Sequence, residues 1–97
     1  MPYINQNRRP NFDPHIEKLI NLLAVDGQIA KAGDVNYVIS RIVAGSRIGN
    51  RPLSYDLVSD AIRVFSDAAA EMRRRLLDKC EDGAIERNGD IPEYWSK

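Results

Sequence analysis

Residues 54–82 read SYDLVSDAIRVFSDAAAEMRRRLLDKCED, an unbroken run without glycine or proline. Leu57, Val58, Ala61, Ile62, Phe65, Ala68, Ala69, Met72, Leu76 and Cys80 recur in it at helical spacing. At 100° per residue they fall within about 140° of one another, the signature of a helix with one apolar face. Ser54 supplies an N-cap, Asp56 and Asp60 favour the positive end of the helix dipole, and Glu71–Arg75 is an i,i+4 pair. Asn88-Gly89 downstream signals a tight turn of the primed type.

Two shorter helices precede this one. Asp13-Pro14 reads as an N-cap followed by a first-turn proline, and Ile16, Leu19, Ile20 and Leu23 then keep helical register until Gly27. Asp34 reads as the cap of the next helix, whose core stripe is Val35, Val38, Ile39, Ile42 and Val43. Gly49-Asn50-Arg51-Pro52 ends it. The expected class is therefore all-α, a three-helix antiparallel arrangement with one long C-terminal helix and extended terminal arms. The expected boundaries within a single domain of residues 1–97 are an arm at 1–12, helices at 14–26, 34–48 and 54–82, and a turn and tail at 83–97. Pro2, Pro10 and the asparagines make the arm extended, with Tyr3 and Ile4 tucking it against the core.

Composition narrows the function classes. With 97 residues there is room for one core, and 43% hydrophobic residues suffice to build it. Fourteen basic side chains balance fourteen acidic ones, so no net field draws the chain to nucleic acid or anionic membrane. A single cysteine excludes an intrachain disulfide, and one cysteine with one histidine excludes a structural zinc site. The longest aliphatic run, Leu22–Val25, is too short to span a bilayer or to serve as a signal-peptide core. A reduced, cytoplasmic protein is expected.

Catalytic constellations are not expected either. His15, the only histidine, lies in the first turn of a helix beside its apolar stripe, where a structural role fits best. Cys80 sits on the apolar stripe as a small hydrophobe. The acidic pairs Asp56/Asp60, Asp67/Glu71 and Asp78/Asp82 have metal-ligand spacing, but no facing E-x-x-E or E-x-x-H pair completes a site. Arg73, Arg74 and Arg75 fan 100° apart and share no face. The expectation is no enzyme, no metal and no cofactor.

What remains is interaction. A helix of 29 residues is a rod of about 40 Å, longer than the roughly 32 Å diameter of a compact chain of this size. Its apolar stripe continues to the overhanging end, which a second copy of the chain would cover, a dimer being favoured. The second helix carries a further line, Tyr37, Arg41, Ala44 and Ile48, opposite its core stripe. Tyr37, Arg41 and Ile48 are therefore the expected partner contacts. Between Val35 and Tyr55 there is no acidic residue, while Arg41, Arg47 and Arg51 are present. The alternative is thus a small anionic ligand, a nucleotide or signalling molecule, held by Arg41, Arg47 and Arg51 with Tyr37 stacking on a planar group. Charge is also regional, +3 over residues 1–53 and −3 over 54–97, which suits assembly of opposite-sign halves.

Four strings together resemble a known family: MPYI (Met1–Ile4), the Arg9…Asp13 spacing, GDVNYVISRIV (Gly33–Val43) and NGDI (Asn88–Ile91) after EDGAIE. The family comprises short bacterial, archaeal and phage proteins and is a domain of unknown function. The resemblance runs from the first residue to NGDI and implies no activity; the phage members leave room for an interaction with host proteins. This chain departs from it late in the third helix, where AAEMRRRLLDKC replaces an aromatic-rich stretch. The tail Pro92–Lys97, with Tyr94 and Trp95, lies beyond it.

Overall fold

The computed structural model describes residues 3–95 and is all-α, with three main helices. Helix α1 spans Asp13–Leu23 and α2 spans Ala32–Val43, the latter continuing into a π-helical turn, Ala44–Ile48. Helix α3 spans Tyr55–Met72, passes through a second π turn at Arg73–Leu77, and runs on as α4, Asp78–Asn88. Together these form one C-terminal helix of 34 residues. At 1.5 Å per residue it is about 50 Å long. A last helical turn, α5, covers Pro92–Trp95. The expectations for Met1, Pro2, Ser96 and Lys97 lie outside the described residues.

Several boundaries differ from the sequence reading, each for a local reason. The arm is not extended throughout: Gln6–Asn11 winds into 3-10 turns, begun by Asn5 Oδ1 accepting from the Asn7 amide and braced by Arg9 Nε donating to the Ile4 carbonyl. Helix α1 begins at Asp13 itself. The Phe12 carbonyl, not the Asp13 side chain, accepts the first amides, from His15 and Ile16. It ends at Leu23 rather than 26, because Ala24 leaves helical dihedrals (φ −99°, ψ 71°), and Asp26 and Gly27 beyond it take positive φ. Helix α2 starts at Ala32, two residues before Asp34, with the Lys31 carbonyl accepting from the Val35 amide. Ser54 does cap α3, its Oγ accepting from the Leu57 amide at 3.2 Å.

At the other end, the expected turn and tail from residue 83 is helix as far as Asn88. Gly83 interrupts nothing, since one glycine costs only about 1 kcal/mol in a helix whose neighbours favour it. Asn88-Gly89 is a helix terminus and not a hairpin turn: Gly89 sits at φ 85° and its amide donates to the Ile85 carbonyl at 2.7 Å. With no strands to join among the described residues, the same left-handed glycine serves as a C-terminal stop. Glu71 pairs with Arg74, three residues on.

Two compact units divide the chain, one of Tyr3–Val64 and one built on the stretch from Phe65 onward. In the first, the sheltered side chains include Leu19 and Leu23 of α1, Val35, Val38 and Val43 of α2, and Leu57 and Val58 of α3. These are members of the apolar stripes, yet all of them remain half-buried. Ala61, 4% exposed, is the one buried residue among those described. Their stripe-mates Ile16, Ile20, Ile42 and Ile62 lie about half exposed. Among the described residues of the second unit only Glu71, Gly83 and Ala84 are even half-buried. Met72 and Leu76 are 66% and 61% exposed, and Tyr94 and Trp95 also stand out in solvent.

Candidate interaction surface

Helix α2 carries the line expected from the sequence, but the π turn breaks it. In an i→i+5 turn each ring closes over one more residue than in α-helix, so side chains beyond it lag in rotation. Ile48 therefore swings away from Tyr37 and Arg41 toward the side of Val43, and both Ile48 and Val43 are half-buried. The cause is legible in the turn itself. Gly45 has the poorest helix propensity after proline, and the Ser46 hydroxyl donates to the Ile42 carbonyl, competing with the backbone for that acceptor. Tyr37 (63% exposed) and Arg41 stay on the outer face, with the guanidinium carbon 6.0 Å from the ring centroid, a cation–π contact.

The other arginines of the segment point elsewhere. Arg51 donates through Nη1 to the Ile48 carbonyl at 3.1 Å, and its own amide donates to the same oxygen at 3.2 Å. It is thereby a cap for the end of α2. Arg47 is exposed on the π turn. The structure thus brings Tyr37 and Arg41 together, puts Arg51 to capping, and moves Ile48 off their face.

Two apolar recesses were not singled out from the sequence. One, about 450 Å³, is lined by Leu53, Ser54, Tyr55, Val58, Ser59 and Ile62 at the start of α3. The other, about 690 Å³, runs along the second π turn between Ala69 and Cys80, with Met72, Leu76 and Leu77 forming its apolar wall and Arg73 its rim. Its signal was present in the spacing. Phe65, Ala69 and Met72 follow steps of four and three, then the next full step lands on Leu77 after five, and Cys80 and Ala84 resume at three and four. A uniform 100° wheel hides that extra residue. The π turn at Arg73–Leu77 absorbs it, so Leu77, Cys80 and Ala84 stay in line with Met72.

Chemistry at these surfaces is sparse. Among the described residues no three His, Cys, Asp or Glu side chains converge where a metal could bind, and Cys80 is an exposed free thiol. No described helix is long and apolar enough to cross a membrane. No curated protein and no solved structure matches the chain. A family profile does, over residues 1–91, ending on the last residue of the NGDI string and leaving the tail from Pro92 outside. The chain belongs to that family, the domain of unknown function DUF6899.

Proposed function

We propose that this protein is a non-enzymatic helical interaction module that works as a homo-oligomer, a dimer or larger. One observation carries the reading: within each unit the apolar stripes stay bare, as exposed apolar patches at interaction sites do. Ile16, Ile20, Ile42 and Ile62 are about half exposed in the first, and Met72 and Leu76 are 66% and 61% exposed in the second. Each would gain about 1.5–3 kcal/mol from full burial. Tyr37 and Arg41, exposed on α2, add a second contact surface of the amphipathic kind enriched at interfaces.

The small-anion alternative is less well supported. Of the three arginines it needs, Arg51 is engaged with a backbone carbonyl and Arg41 lies against Tyr37. Size-exclusion chromatography with light scattering tests the proposal. The expected mass is a multiple of 11.0 kDa at micromolar concentration, reduced toward one chain by Met72→Asp. A wild-type protein that elutes as a monomer throughout would overturn it.

A further inference from the structure

Within the second unit, Phe65, Ala69, Met72, Leu77 and Cys80 form a seam of coiled-coil type, kept in line by the π turn. All five are exposed. The residues beside the seam are uneven. Toward its N-terminal end they are small, Ser66 and Ala68; toward its C-terminal end they are long and cationic, Arg73 and Arg75. A surface that is small at one end and bulky at the other is complementary to its own reversed copy.

Resting on the self-association proposed above, we infer that this seam is covered by the same seam of a second copy, running antiparallel about a two-fold axis between Ala70 and Glu71. Seam positions can face each other in an antiparallel pair only in heptad-compatible registers. This one uses the whole exposed stretch. Phe65 meets the Leu76–Leu77 edge of the groove in the other chain, and Ala69 meets Met72. Arg73 then extends beside Ala68 and Arg75 beside Ser66, their aliphatic stems covering small residues and their charges near Asp67 of the other copy. An in-register parallel pair does the opposite. It stacks two Arg73–Arg75 runs at one level, six guanidiniums around a single turn, and aligns the two helix dipoles. Charge and shape therefore choose the same orientation. The seam's large side chains are bare, Met72 at 66% and the adjoining Leu76 at 61% exposed.

Cross-linking through cysteines separates the orientations. In the antiparallel pair two Cys80 thiols lie roughly 28 Å apart along the axis, whereas in a parallel pair they are adjacent. With Cys80→Ser as background, full-length chains carrying Ala69→Cys and chains carrying Met72→Cys are oxidised separately and as an exchanged mixture, with mass by light scattering in parallel. The expected result is a disulfide-linked dimer in the mixture and little in either alone, with no Cys80 cross-link in the wild type. Cross-linking of each variant with itself, or of Cys80, would overturn the antiparallel pair while leaving self-association standing. A dimeric mass with no cross-link in any sample would place the interface elsewhere and overturn it too. A monomeric mass would remove the underlying reading as well.

Discussion

Gly49 and Ser54 carry the turn between α2 and α3. Gly49 takes φ 59° and ψ −134°, a conformation closed to side chains in practice, and a Cβ there would also meet the Gly45 carbonyl at 3.4 Å. Gly49→Ala should lower unfolding stability by about 1–3 kcal/mol, read from the midpoint of urea denaturation. Ser54→Ala removes the Oγ that accepts from the Leu57 amide and should cost about 1 kcal/mol in the same measurement. Gly27→Ala belongs to a milder class. Its φ of 72° penalises a Cβ, but nothing lies within 4 Å of it. At this scale the sequence was partly legible. Ser54 was identifiable as a cap because a proline and a loop isolate it. Asp13 and Asp34 look like caps by residue type, yet backbone carbonyls one or three residues upstream begin those helices, and residue type alone does not say which carbonyl comes first.

Elements obey the periodicity in the sequence, with two exceptions that share a cause. Both π turns lie where one residue is surplus to the α-helical repeat. At Ala44–Ile48 the weak helix formers Gly45 and Ser46 yield, and Ile48 leaves the Tyr37–Arg41 face. At Arg73–Leu77 the surplus residue is one of three arginines, and the turn preserves the apolar line from Met72 to Leu77 and Cys80. Deleting Arg75 should therefore convert that turn to ordinary α-helix and leave the seam intact. Circular dichroism should show unchanged helicity, and light scattering an unchanged mass. Deleting Ser66, which throws Ala69 and Met72 out of line with Phe65, should abolish association. The stripes themselves were readable from residues 16–23, 35–43 and 57–72 because a single helical period selects them; beyond Met72 the constant period picks Leu76 where the structure aligns Leu77. The register shifts were not, since a wheel drawn at constant angle has no place for an inserted residue.

For the whole molecule the informative fact is how little is covered. Periodicity tells which face of a helix is apolar, but whether anything covers that face is a property of the assembled state. Stripes predicted to pack are half exposed here, with Ala61 the one buried position among the described residues. On the proposed self-association the melting temperature should rise with protein concentration, and Met72→Asp should flatten that dependence. The most direct measurement is sedimentation equilibrium of the full-length wild-type chain over a wide concentration range. The expected mass is an integral multiple of 11.0 kDa, two or more, persisting to low micromolar concentration. A single species of 11.0 kDa at every concentration, folded and melting cooperatively, would contradict it.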